Sequence, residues 1–305
     1  LPHKRNTRRN CIHSGCCRWS CHNVGLVMSY ILPEGNVLIS FSGGRTSGYM
    51  LHQILQANGD LPERCKVVFA NTGREMPETL DFVQECSERW SVPVTWLEYR
   101  TVYNEKRNIY NHTFEVVNHN SASRNGEPFE VLIKARSTLP NNFQRFCTVE
   151  MKIRTIKRFL KNQGWKQWAN VVGIRADERH RVSKSREKEW DNHYPLANAN
   201  QTKNHVANFW KQQPFDLKVT AGFGNCDGCF LKSEKNIAAL WRLHPERAAW
   251  WANLEAMKHG KKERVRTFHK NRTYKEIGDF VQRQGDWIFD DENFLCQADD
   301  GECTG

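Results

Sequence analysis

Ser40-Phe41-Ser42-Gly43-Gly44-Arg45-Thr46-Ser47 decides the fold of this chain. The run Asn36-Val37-Leu38-Ile39 before it reads as a buried strand. Tyr49-Met50-Leu51-His52-Gln53-Ile54-Leu55 after it carries apolar residues at helical spacing. The stretch is therefore a strand-to-helix turn. Gly43 and Gly44 let the backbone turn sharply and come close to a ligand. The N–H groups at the start of the following helix face the same spot and favour an anion. Ser42, Thr46 and Ser47 add hydroxyl donors, so the physical reading is a phosphate cradle. It is neither a Walker A loop, which ends in Gly-Lys-Ser/Thr, nor the three-glycine dinucleotide fingerprint.

The neighbouring segments extend the pattern. Lys66–Gly73 reads as a strand with its exit turn, Glu78–Cys86 as a helix started near Pro77, and Val92–Glu98 as a third strand. Strand, helix, strand, helix, strand predicts an α/β fold with a doubly wound parallel sheet that binds its ligand at the carboxyl ends of the strands. Asn71-Thr72-Gly73-Arg74-Glu75 falls at that edge, where Asn71 borders a ligand or simply forms the turn. Residues 99–143 read as a long irregular insertion with one short helix near 130–135. Cys147 stands at the start of a basic amphipathic helix, a position that lowers a thiol pKa and suits thiolate chemistry or metal ligation. Asn170–Arg181 is a strand that exits into five charged residues. There Arg175 can fork onto phosphate oxygens, and Asp177 and Glu178 can position Mg²⁺ or orient the arginines.

Ser-x-Ser-Gly-Gly-x-x-Ser resembles the PP-loop of the adenine-nucleotide alpha-hydrolase superfamily, which includes ATP pyrophosphatases and the phosphoadenosine phosphosulfate reductases. Cys147-Thr148-x-x-x-Lys152-Ile153, Gly173-Ile174-Arg175-x-Asp177-Glu178 and Tyr194-Pro195-Leu196 are similar to segments of the reductase family. The resemblance covers about residues 35–235 and is tightest at 40–47, 147–153 and 173–181. It implies an adenine nucleotide, ATP or phosphoadenosine phosphosulfate, bound by Ser40, Ser42, Gly43, Gly44, Arg45, Thr46, Ser47, Asn71, Thr72, Gly73, Gly173, Arg175 and Arg181. It implies catalytic roles for Lys152, Arg175, Asp177 and Cys303, with Lys152 directed to the same mouth as Cys147. Two features depart from the pattern. Thr46 stands where many pyrophosphatases have Asp, and the end Glu302-Cys303-Thr304-Gly305 lacks the His that follows the reductase nucleophile.

Cys226-Asp227-Gly228-Cys229 is a Cys-x-x-Cys loop without a second close pair. The fold implied by the resemblance can bring Cys147, Cys226, Cys229 and Cys296 together, which would suit a [4Fe-4S] cluster or, alternatively, zinc. Free thiols or a redox dithiol are the competing reading.

The 305 residues suffice for one large domain with an appendage, and no run is apolar enough to cross a membrane. With no secretory signal the expected location is cytoplasmic, which argues against structural disulfides. Residues 1–27 are basic and contain Cys11, Cys16, Cys17 and Cys21. They read as a zinc site, a nucleic-acid arm or, preferably, a disordered or non-native arm ahead of Met28. Residues 28–215 form the expected nucleotide-binding domain, and 216–305 a Cys-containing, mainly helical region with helices near 236–243 and 245–259. The net charge of +11 suits a nucleotide or a nucleic acid. Three functions follow. The first is a reductase-like enzyme doing sulfur-linked chemistry with a thiol or sulfur donor. The second is an ATP pyrophosphatase that adenylates a nucleic acid for thiolation or a related modification. The third is a non-catalytic nucleotide- or nucleic-acid-binding module.

Overall fold

The computed structural model describes residues 28–183, 187–257, 267–269 and 271–284. The expected β1 (Val37–Ser40), α1 (Arg45–Asn58), β2 (Cys65–Asn71), α2 (Pro77–Arg89) and β3 (Val94–Asn104) follow in order. With β4 (Ile109–Val117), β5 (Trp168–Val171) and β6 (Trp190–His193) they make a six-stranded sheet of order β4-β3-β2-β1-β5-β6. All pairings are parallel except β3–β4. The order reverses direction beside β1, between β2 and β5, so the Ser40–Ser47 turn leaves the sheet at its topological switch point.

Central strands buried on both faces must be apolar throughout, and alternate residues then feed different cores. Val37, Ile39, Val67, Phe69, Trp96, Ala169 and Val171 enter one core with residues of α1, α2 and α6 (Lys203–Lys211). Leu38, Val68, Leu97 and Trp168 enter another, capped by Phe159 and Leu160 of α4 (Thr155–Asn162). A further core joins α3 (Glu127–Arg136), Met151, α7 (Glu234–Leu243), α8 (Pro245–Ala256) and α9 (Tyr274–Gln284). It draws Tyr99, Phe129 and Leu139 from earlier in the chain, so the C-terminal helices do not build it alone. The short α5 (Pro195–Asn198) leads from β6 towards α6.

The insertion differs from its sequence reading. β3 continues to Asn104, turns through Glu105–Arg107, and β4 returns antiparallel in register from Asn104↔Ile109 to Trp96↔Val117. Asn104 caps that turn by accepting from Arg107 N, and Asn108 closes it at φ +50°. An edge strand half open to water mixes polar and apolar residues, and its asparagines belong to the turn rather than to a loop. The helix expected near 130–135 is α3, longer at both ends. After Cys147 the chain forms a π-helix, Thr148–Arg154, before α4. Among the described residues no helix is long and apolar enough to cross a membrane. The arm 1–27, Cys296 and Cys303 lie outside the described residues.

Candidate functional site

The Ser40–Ser47 turn is locked by its own hydroxyls. Ser47 Oγ accepts from Ser42 N at 3.2 Å, donates to Gly44 O at 2.9 Å and lies 3.0 Å from Ser42 Oγ. Gly43 sits at φ +80°, and a Cβ there would come within 2.9 Å of Thr79 Cγ2 and 3.1 Å of Val83 Cγ2. Gly44 is the extended N-cap of α1. Gly173, after β5, crosses the start of that helix so closely that a Cβ would lie 3.5 Å from Ser47 Cα. The first turn of α1 therefore opens at the switch point, where its N–H groups favour an anion.

A cleft of about 720 Å³, partly open to solvent, runs from this turn along the sheet under the π-helix and α4. Ser40, Ser42, Asn170, Lys152 and Lys157 supply its polar groups. Leu38, Val68, Ile153, Ile156, Trp168 and Trp190 supply apolar walls. Ser40 Oγ donates to Asn170 Oδ1 at 3.0 Å, and Asn170 Nδ2 to Asn192 Oδ1 at 2.9 Å, which fixes the polar end across three strands. The stacked pair Trp168–Trp190, 5.2 Å between ring centres, lines it as well. The shape suits a flat apolar ring at one end and an anion at the other.

Arg175 is brought to the same turn from the far side. It is 4% exposed, and its Nη1 donates to Thr46 Oγ1 at 3.2 Å. Asp177 Oδ1 accepts from Arg175 Nε at 3.0 Å, and Glu178 joins Arg175 to Arg181. Burial pushes the Asp177 carboxyl up, but the Arg175 guanidinium and the Lys203 N–H outweigh it and hold it below its ordinary range. These carboxylates orient the arginines. Arg45, Thr46, Arg175 and Lys203 face a second cavity of about 800 Å³, partly open to solvent and lined on its other side by residues of 217–224. The predicted nucleotide-binding residues are thus divided, with Ser40 and Ser42 on the first cavity and Arg45, Thr46 and Arg175 on the second.

At the edge of β2 the turn 71–75 meets the Cys-x-x-Cys loop. Asn71 is wholly buried and donates to Glu98 Oε1 at 2.6 Å and Ser123 O at 2.9 Å, while Gly73 N donates to its Oδ1. Its side chain shapes the turn. Glu75 Oε2 accepts from Thr72 N and Thr72 Oγ1, and Thr72 Oγ1 lies 3.2 Å from Cys226 Sγ. Glu75 and Cys226 also form an antiparallel bridge. Buried Asp227 accepts from Arg74, Arg247, Gly228 N and Trp251 Nε1. Burial and the Glu75 carboxylate push the Cys226 thiol up, while the Lys152 ammonium draws it down. Lys152 thus lines the cleft with Ser42 and is felt at Cys226.

The sequence reading did not assign Glu75, Asp227, Asn170 or the Trp168–Trp190 pair to the site. Glu75 carries the one visible signal, an acid directly after the Thr-Gly turn. Cys147 and Cys226 pack on the same apolar core, yet the described residues hold no group of three or more His, Cys, Asp or Glu that could take a metal ion. The described residues therefore do not by themselves fit the expected cluster or zinc, and the fourth expected ligand, Cys296, lies outside them.

A protein-family model described as the phosphoadenosine phosphosulfate reductase domain matches residues 36–214. The uncharacterized nin region protein ORF290 of Escherichia phage lambda is 30% identical over 203 residues, covering 66% of this chain and 67% of that protein. Among solved structures, the phosphoadenylyl-sulfate reductase of Candida auris in phosphate complex is similar at 14% identity and TM-score 0.37, over 66% of this chain and 88% of that one. The U34-tRNA thiolase NcsA of Methanococcus maripaludis, solved with its [4Fe-4S] cluster, is similar at 13% identity and TM-score 0.37, over 87% and 80%. With the Ser40–Ser47 turn at the switch point of a mostly parallel six-stranded sheet, the chain belongs to the phosphoadenosine phosphosulfate reductase domain family.

Proposed function

We propose that this protein is an enzyme that binds the phosphate groups of ATP or phosphoadenosine phosphosulfate on the Ser40–Ser47 loop and carries out sulfur-linked chemistry at the neighbouring thiol loop. Lys152 carries the reading. It stands in the cleft beside Ser42, on the π-helix that begins directly after Cys147. One lysine therefore links the anion site to a thiol-bearing segment. The base occupies the apolar part of the cleft, and the phosphates meet Ser42, Gly43, Gly44, Ser47 and the first-turn N–H groups of α1. Arg175, held by Asp177 and Glu178, steadies the far side of the loop through Thr46.

A second reading, an ATP pyrophosphatase acting on a nucleic acid, is favoured by the cavity at Arg45, Arg175 and Lys203, whose arginines are oriented by Asp216 and Asp177. It offers a separate place for a polyanion or for released pyrophosphate. Isothermal titration with ATP and with phosphoadenosine phosphosulfate tests the shared claim, and Lys152→Ala is expected to weaken binding about tenfold, the scale of one charge-assisted contact. Thiol-dependent sulfite release supports the reductase-like reaction, and pyrophosphate release from ATP supports the second. Tight binding with neither product would identify a binding module, and binding of neither nucleotide sinks the proposal.

A further inference from the structure

Outside the cleft lining, the π-helix and α4 carry a positive patch with an aromatic beside it. Glu150, Arg154 and Arg158 fall at successive helical turns. Glu150 is fully buried and pairs with Arg136, Arg154 and Arg158. Burial pushes its carboxyl up, but the three guanidinium groups outweigh that and hold it below its ordinary range. One carboxylate against three arginines leaves a surplus of positive charge, and each of these arginines is partly exposed.

The segment 137–146 leaves from Arg136 and returns at Phe146, whose ring lies 5.8 Å from the Arg136 guanidinium carbon. Both ends of this loop therefore sit at the patch. Its tip is a closed turn, with Asn141 N donating to Gln144 O at 3.2 Å and Gln144 N to Asn141 O at 3.1 Å. Phe143 N donates to Asn141 Oδ1 at 2.9 Å. On this ordered turn Phe143 is 84% exposed, next in chain to the exposed Gln144 and Arg145. A large apolar ring held out in water, rather than folded onto the core beneath it, offers a face for stacking.

We infer that Phe143 and the arginines around Glu150 form a docking surface for single-stranded nucleic acid. The bases stack on Phe143 and the phosphates lie on Arg136, Arg154 and Arg158. The patch shares the π-helix and α4 with Lys152 and Lys157, which line the cleft. A strand held on the patch is thereby bound to the same helical segment that carries Lys152. This deepens the proposed function, on which it rests for its meaning, by naming the acceptor class as a nucleic acid.

The test is fluorescence anisotropy on the full chain, with a labelled 12-nucleotide single-stranded RNA, the matching duplex and heparin as competitor, at several salt concentrations. The parent is expected to prefer the single strand. Phe143→Ala, a surface change that leaves the fold intact, is expected to weaken single-strand binding about tenfold and Phe143→Trp to restore it. Arg136→Gln is expected to flatten the salt slope by about one unit. Equal affinity of the parent and Phe143→Ala overturns the inference, as does equal affinity for strand and duplex, since either leaves charge alone at work. A parent that binds ATP but no RNA overturns the docking surface and leaves the nucleotide reading standing. A parent that binds RNA but no nucleotide does the reverse.

Discussion

At Gly43 two constraints coincide, a φ of +80° and neighbours 2.9–3.2 Å from any added Cβ. Those neighbours, Thr79, Val83 and Phe69, belong to α2 and β2 and cannot all retreat. Gly43→Ala is expected to cost about 1–3 kcal/mol of backbone strain and to weaken ATP binding at least about tenfold by calorimetry. An unchanged affinity would remove the loop from the binding site. Ser47→Ala takes away the acceptor for Ser42 N and the donor to Gly44 O, so a loss of about 1 kcal/mol of stability should accompany weaker nucleotide binding. These positions were legible in the sequence because the loop closes on itself within eight residues. Asn71 and Arg175 were less so. What each side chain meets is set by partners far along the chain, Glu98 and Ser123 for Asn71, Thr46 for Arg175, and only the assembled sheet and its loops bring them together.

At the scale of elements, β1, β2, β3 and their helices were readable because each is buried and strongly periodic. The β3–β4 hairpin was not, because its outer strand is half solvated and its turn is built from asparagines. The junction of α8 and α9 carries a pH-dependent contact that no local pattern reveals. Glu255 on α8 is 6% exposed and accepts from Phe268 N at 2.8 Å and Tyr274 N at 2.6 Å. Burial raises its pKa to about 7, against the pull of those two N–H groups. An acid whose folded pKa lies above its unfolded value favours the folded state when protonated. Its contribution is complete below the unfolded value of about 4.5 and is lost as pH rises through about 7. From pH 5 to pH 8 this junction should lose on the order of 3 kcal/mol, read as a fall in the urea midpoint, and Glu255→Gln should flatten that dependence. The same slope in the variant would place the titration elsewhere.

For the whole molecule the question is how a ligand held by one core is felt by the other. The sheet core holds the Ser40–Ser47 loop, and the helical core holds α8 and the Cys-x-x-Cys loop. Arg74, directly after the Thr-Gly turn, pairs with Asp227 at 2.7 Å, and Asp227 in turn accepts from Trp251 Nε1 on α8 at 2.7 Å. Arg74 is 3% exposed and Asp227 wholly buried, and the Glu75–Cys226 bridge runs alongside. A buried pair broken on one side costs about 3–5 kcal/mol, because the remaining charge is left without its partner. Asp227→Asn keeps the size and removes the charge, so it should loosen this joint while leaving the Ser40–Ser47 loop in place. ATP at a hundred times its dissociation constant stabilises whatever unfolds with the site by about 2.7 kcal/mol. In the parent that protection should spread to both cores, slowing amide exchange in α2 and in α8 alike. In Asp227→Asn it should persist in α2 and largely vanish from α8. Hydrogen exchange read by mass spectrometry on peptides from the two helices separates the cases. If ATP protects α8 equally in parent and variant, the Arg74–Asp227 joint does not carry the coupling, and the Glu75–Cys226 bridge becomes the element to break next.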